Sequence, residues 1–234
     1  MGEPPAIETA VREGVVQVRR PGTRWLATGW DGGYDRADAA YNVSVPDGWE
    51  RRDLAAYVEE RRERAGFDAS GPAMLTGVDM DHLVGARLGD VVAYATVGLT
   101  NPASLPQSPS GDAAGQTGSP PAGTVNLLVV TDRALGDGAL ATLLGTVVEA
   151  KAATLQARTG FTGTTSDAVA VGSDPDGAAA AFAGSATAIG AAARACVREA
   201  IGAGLAARPE STPDSVDEAE HGVRTERRAS VFDP

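Results

Sequence analysis

Lys151 is the single lysine of a 234-residue chain in which every other lysine or arginine position is arginine. At roughly 100° per residue, Leu140, Leu144, Val147, Val148 and Leu155 form one helical stripe, with Lys151 near its middle. A lysine in a core-facing stripe must be paired, carry a lowered pKa, or snorkel to solvent. Candidate partners flank it. Upstream, Asn126 is the one polar residue in the apolar run Val125 to Val130. Downstream, FTGTTSDAVAVG carries Thr164, Ser166 and Asp167. If the strands on either side are parallel, the helix between them runs back and brings Lys151 beside Asn126 and the Thr164 to Asp167 turn. Such a group can attack a carbonyl. Asp167 can activate water, Lys151 or Asn126 can stabilise an oxyanion, and Thr164 or Ser166 can attack directly. The pair Lys151 and Asp167 equally fits a buried structural ion pair. Glu149, a further catalytic candidate, falls on the opposite helix side with Thr142, Gly145, Thr146 and Ala153, either solvated or facing a second layer. The cluster would sit at the amino ends of its strands, whereas open α/β sheets usually bind ligands at the carboxyl ends.

The elements that must position these residues are legible in part. Val125 to Val130 is β-branched-rich and closed by Thr131 and Asp132, as a strand buried on both faces should be. Asp137 is placed to cap a helix ending near Arg158 to Gly160, and a short strand follows from about Thr165 to Val171. Upstream, VVQVRR, RWLATGW and AAYNVSV predict three short strands, with Asp31-Gly32-Gly33 as a hairpin turn. A helix from about Arg51 to Arg64 buries Leu54, Tyr57, Val58 and Ala65 and solvates an arginine/glutamate face. Ala73 to Val78 and Asp90 to Leu99 read as further strands, and an alanine-rich helix is expected after Gly177. Residues 1–12 are expected as a loose tail, 13–206 as the domain, and 207–234 as a disordered acidic tail. Within the domain, 103–122 is a flexible low-complexity loop of serine, proline, glycine, alanine and glutamine. The fold class is therefore α/β or α+β. A single domain with a mixed sheet covered by helices ends in a strand–helix–strand–helix unit.

Composition closes several doors. A formal charge of −11 argues against nucleic acid as a partner, which requires basic patches. The same bias reads as surface adaptation to a salt-rich cytoplasm. No uninterrupted apolar run approaches the roughly 20 residues of a bilayer span, and the polar, proline-containing start is no signal peptide, so neither a membrane nor export is expected. One cysteine, Cys196, excludes an internal disulfide and a cysteine-based metal site. His82 is the one histidine before the C-terminal tail, and HExxH is missing, so no metal is expected. Neither a P-loop nor GxGxxG is present, which removes the usual support for kinases and dehydrogenases.

The motifs ATVGLTNPA, GTVNLLVVTD, EAKAATLQ, TGTTSDAVAV and AGSATAIG together resemble the adenosylcobinamide amidohydrolase family of corrinoid salvage. The similarity covers roughly Trp25 to Leu205. It implies hydrolysis of the amide joining aminopropanol to a corrin propionate, giving adenosylcobyric acid and 1-aminopropan-2-ol, with a corrinoid substrate and no cofactor. Thr164-Thr165-Ser166-Asp167 stands where the family has Gly-Thr-Asp, and the loop 103–122 is additional. Asn101, Gly123, Thr124 and Gly163, from these motifs, and Asn42, from the third upstream strand, are the candidate substrate-binding residues. Two alternatives stay open: a corrinoid-binding protein without chemistry, and a hydrolase of another amide. The cobalt-ligating pattern DxHxxG is not met, since Met80 occupies the acid position before His82.

Overall fold

The computed structural model describes residues 7–46, 48–108, 124–208, 212–219 and 221–233. Its frame is an eight-stranded mixed sheet. The strands are β1 (Glu8–Arg12), β2 (Val15–Ala27), β3 (Gly33–Ser44), β4 (Ala73–Thr76), β5 (Val84–Leu88), β6 (Val91–Val97), β8 (Val125–Leu135) and β10 (Ala168–Ala180). Their order is β4-β3-β2-β10-β8-β6-β5, with β1 added beside β2. Three short strands, β7 (Pro102–Ser104), β9 (Gly163–Thr164) and β11 (Val223–Arg224), form a second sheet. Helices are α1 (Leu54–Arg64), α2 (Asp137–Thr159) and α3 (Ala188–Ala207). The α/β architecture with one large mixed sheet is the expected one.

A break in β2 decides how the layers stack. Val15 to Arg19 pair with β1 on one side and β3 on the other, whereas Arg24 to Ala27 pair with β10 and β3. Between them Pro21 offers no N–H to a ladder and Gly22 takes φ 70°, so the pairing register shifts there. The β1–β2–β3–β4 layer folds over one face of β10–β8–β6, burying Val16, Val18, Ala40 and Met74 against Val92, Leu128 and Val130. The bend is pinned by Arg20, whose guanidinium bonds both Asp132 on β8 and Asp174 on β10. Helices α2 and α3 cover the opposite face, meeting Val91, Ala93, Ala95, Val125, Leu127 and Val129. Alternate residues of β8 thus serve two cores, the period-2 rule of a strand buried on both sides.

Several expectations change. The segment read as a loose N-terminal tail contributes Glu8–Arg12 to the sheet, because residues paired on a strand edge need no buried side chains of their own. VVQVRR and RWLATGW are one strand, made continuous through the irregularity at Pro21. The helix expected after Gly177 begins only at Ala188. Ala178 to Ala180 continue β10 by pairing with Arg133 to Leu135, so tertiary pairing overrides alanine's helical preference. Thr187 caps the true start, accepting the Gly190 N–H at 3.0 Å. For α2 the N-cap is Gly136, and Asp137 is the acidic first-turn residue. The expected stripe also shifts, with Val148 exposed and Leu143 buried in its place. In the expected acidic tail, Val216 joins the main core and β11 pairs with β7. In the low-complexity stretch, residues 103–104 belong to β7, and 109–122 lie outside the described residues. Helix α2 is also long and apolar enough to cross a membrane by composition, with half of its most apolar window buried in this fold.

Candidate active site

The parallel pairing of β8 and β10 sets the cluster. Ala168 lies opposite Asn126, so the amino ends of the two strands are adjacent. Helix α2 returns between them, and its buried face includes Val147, Ala150, Lys151 and Thr154. The Lys151 ammonium bonds Asp167 Oδ2, and each side chain of the pair is 9% exposed. The lysine does not snorkel. It is paired.

Asp167 accepts more than the lysine. Its Oδ1 takes the Val125 N–H at 2.9 Å and the Thr164 hydroxyl, while Oδ2 also takes the Thr164 N–H at 3.1 Å. Four donors fill the roughly four lone-pair positions of a carboxylate. A carboxylate so occupied orders its surroundings and has no lone pair left for a water. Gly163 explains how the cluster closes. A Cβ there would lie 2.6 Å from Asp167 Oδ2 and 3.4 Å from Lys151 Nζ. Gly163→Ala is therefore expected to cost about 1–3 kcal/mol, the usual range for overpacking. A melting curve checks it, and an unchanged midpoint would mean that the ion pair yields freely.

Asn126 is next to this cluster but faces the other way. Its Nδ2 donates to Asn42 Oδ1 and to the Leu75 carbonyl, both at 2.9 Å, and its Oδ1 accepts the Ala168 N–H at 3.0 Å. Asn42 in turn donates to Thr96 Oγ1 at 2.9 Å. Both amide protons of Asn126 are committed to holding the folded-over layer, so none remains for an oxyanion. Sequence periodicity carried that signal, since Asn126 must point away from Val125 and Leu127. Asn101 is buried and its carbonyl accepts the Thr165 N–H at 3.1 Å, which ties β7 to the Asp167 turn. Glu149 stands apart, exposed and ion-paired with Arg194 of α3. Gly123 lies outside the described residues.

A cavity of about 480 Å3 opens against this turn. Thr124, Ser166 and Asp167 form its floor, Met74 and, at the carboxyl end of β4, Thr76 one wall, and Trp30, Trp49 and Glu50 line it as well. Because the sheet folds over, the carboxyl end of β4 meets the amino ends of β8 and β10 here, which removes the conflict over strand ends. A larger cavity, about 920 Å3, lies across α2 beside Glu149, Phe161 and Arg224. It touches none of the Asp167 cluster, so size alone does not mark the site.

Two hydroxyls distinguish the smaller cavity. Ser166 Oγ is buried and has no hydrogen-bond partner among the described residues. An unpartnered buried hydroxyl at a cavity wall calls for a ligand, since native structures leave few such groups. Thr76 Oγ1 accepts from the Thr124 hydroxyl at 2.7 Å and from the Val78 N–H at 3.1 Å, which leaves its own proton to donate. Ser166 and Thr124 were foreseen as site residues. Thr76, Glu50 and the two tryptophans were not, because nothing local in the sequence says that β4 folds over β8.

The match to known proteins is extensive. The family model described as adenosylcobinamide amidohydrolase matches residues 5–213. The chain belongs to the adenosylcobinamide amidohydrolase family. An adenosylcobinamide amidohydrolase from Halobacterium salinarum is 50% identical over 229 residues, spanning 97% of this chain and 99% of that protein. One from Methanosarcina mazei is 28% identical over 147 residues, 62% of this chain and 67% of that protein. This member of the amidohydrolase family is thus a hydrolase of an amide bond, and a binding protein without chemistry is not favoured.

Proposed function

We propose that this amidohydrolase cleaves the aminopropanol amide of adenosylcobinamide, releasing adenosylcobyric acid and 1-aminopropan-2-ol, in the cavity floored by Ser166. The observation that carries the assignment is the orphaned Ser166 hydroxyl, presented by a turn that Asp167 and Lys151 hold rigid. In this scheme Ser166 Oγ attacks the scissile carbonyl carbon, and the C–N bond breaks as the proton of the hydroxyl ends on the departing amine. Water then cleaves the resulting ester. Thr76 donates its remaining proton to the oxyanion. Proton transfer falls to Glu50, the other carboxylate lining the cavity.

Lys151 touches Asp167 and does not line the cavity, so it acts as a positioning residue. Thr164 is likewise committed to Asp167. Thr124 orients Thr76, and Asn42, Asn101, Asn126 and Gly163 hold the walls in place. Glu149 has no part. The formal charge of −11 fits an enzyme of a salt-rich cytoplasm that works on a small-molecule corrinoid without nucleic acid or membrane.

Incubating the purified protein with adenosylcobinamide tests the function directly. Stoichiometric release of 1-aminopropan-2-ol with adenosylcobyric acid is the expected result. Tight corrinoid binding without amine release would overturn it in favour of a binding protein.

A further inference from the structure

Three tryptophans occur in the chain, and they have different surroundings. Trp25 is fully buried and its indole N–H donates to the Ala37 carbonyl at 3.1 Å. That is the ordinary state of a core tryptophan. Trp30 and Trp49 both line the cavity above Ser166. Trp49 is half-buried, and its Nε1 is buried without a hydrogen-bond partner among the described residues. Trp30 is 47% exposed, an unusual state for so large an apolar ring.

Trp49 is held by ring packing, and Trp30 is placed by its backbone. Trp49 packs on Tyr57 of α1 with ring centroids 5.0 Å apart at 50°. Tyr57 is fixed in turn by Arg61, whose Nη1 donates to the phenol oxygen at 2.8 Å and to the Ser44 carbonyl at 2.7 Å. Trp30 rides on a turn closed by the Gly32 N–H to the Gly29 carbonyl at 3.0 Å. A Cβ at Gly32 would lie 2.3 Å from the Ala27 carbonyl oxygen, and one at Gly29 2.9 Å from that of Ala73, so both ends of the turn press on backbone. Asp31 takes φ 52° to complete it.

A half-exposed ring on a constrained turn and a buried unsatisfied donor at one cavity describe a waiting ligand. The ligand they fit is flat, largely apolar and fringed with hydrogen-bond acceptors. We infer that Trp49 and Trp30 are the specificity-determining residues of this site: the Trp49 indole N–H donates to a peripheral amide carbonyl of the corrinoid, and the Trp30 ring covers its planar face. This rests on the proposed placement of the substrate over Ser166. A cavity of about 480 Å3 holds the scissile arm and one edge of so large a molecule, and the remainder must lie at the mouth, where Trp30 is exposed. Met74 and Leu54 add apolar lining to the same cavity. An N–H that has lost water and found no partner gains the full value of its bond only when the acceptor arrives. It is therefore a filter for acceptor-bearing ligands.

Calorimetric titration of adenosylcobinamide into Ser166→Ala, and into Ser166→Ala combined with Trp49→Phe or with Trp30→Ala, separates binding from turnover. Trp49→Phe keeps an aromatic ring against Tyr57 and removes the N–H together with part of the indole's apolar area. Each added substitution is expected to raise Kd about tenfold, as loss of one hydrogen bond to a buried donor or of one stacking face does. In the otherwise natural enzyme, Trp49→Phe should raise KM by a similar factor and leave kcat within about twofold, because an interaction removed equally from ground and transition states appears in KM. Unchanged Kd and KM in both tryptophan variants, with Ser166→Ala inactive, would overturn the recognition role alone. A fully active Ser166→Ala would instead overturn the placement of substrate on which it rests. Should Trp49→Phe lower the melting midpoint, Trp30→Ala on its exposed turn carries the same test, and its unchanged Kd would count against the proposal.

Discussion

Asp167→Asn is expected to lower both stability and turnover by large amounts. Asparagine keeps the shape but turns one acceptor oxygen into an amide nitrogen, which would face the Lys151 ammonium and the Thr164 N–H. Lys151→Met fails differently, leaving the Asp167 carboxylate buried without its counter-charge. Both side chains are 9% exposed, so solvent does little to screen the loss. Breaking one partner of such a pair typically costs about 3–5 kcal/mol. For a chain of this size that corresponds to a fall in Tm on the order of 10 °C. The double variant, Lys151→Met with Asp167→Asn, removes both charges and should recover part of the stability, as replacement of a buried pair often does. Turnover should not recover with it. The Thr164 to Ser166 turn would still lack the carboxylate that receives the Val125 and Thr164 N–H groups, and Ser166 would lose its fixed position. Melting curves and turnover on both singles and the double decide the matter. A double variant that is stable and fully active would reduce the pair to a structural one.

How far the sequence foretold this site depends on the distance over which each feature is determined. The partnership of Lys151 with Asp167 needed only a helix between two parallel strands, a unit of about 45 residues whose periodicity is plain. Gly163 and Thr164 followed from the same turn. The face occupied by Asn126 was legible in the two-residue repeat of β8, yet grouping polar residues by proximity set that repeat aside. The other half of the cavity was not legible at all. Thr76, Trp30 and Trp49 come to the same cavity as Ser166 only because β2 bends at Pro21 and Gly22 and is locked by Arg20 between Asp132 and Asp174. Pro21-Gly22 is a turn signal in sequence, but it gives neither the direction of the bend nor the acids, more than 100 residues on, that secure it. Edge pairing is illegible for a related reason. Glu8–Arg12 and Val223–Arg224 are held by backbone bonds to a partner strand, and their own side chains carry no apolar pattern.

Ser166→Ala carries the remaining weight. Removing this hydroxyl takes away the attacking atom and leaves every bond around Asp167 intact, since Ser166 Oγ contributes none of them. The folded state should be unharmed. The orphaned oxygen is an unsatisfied group in the absence of substrate, and replacing the hydroxyl by hydrogen removes a desolvation cost of about 1–3 kcal/mol. The variant is therefore expected to melt at or slightly above the midpoint of the natural protein. Turnover should fall by a factor of about a thousand or more, as when a serine nucleophile is deleted and only binding and oxyanion donors remain. The two changes have opposite signs, and this makes the result diagnostic. A structural serine would lose stability along with activity, and a serine that merely touches substrate would raise KM and leave kcat near its natural value. Ser166→Cys adds a second reading, because a thiol can still attack and would form a thioester whose mass can be measured on the trapped protein. An alanine variant that retains natural kcat would show that the reaction does not use Ser166, and would overturn the placement of the scissile amide over it.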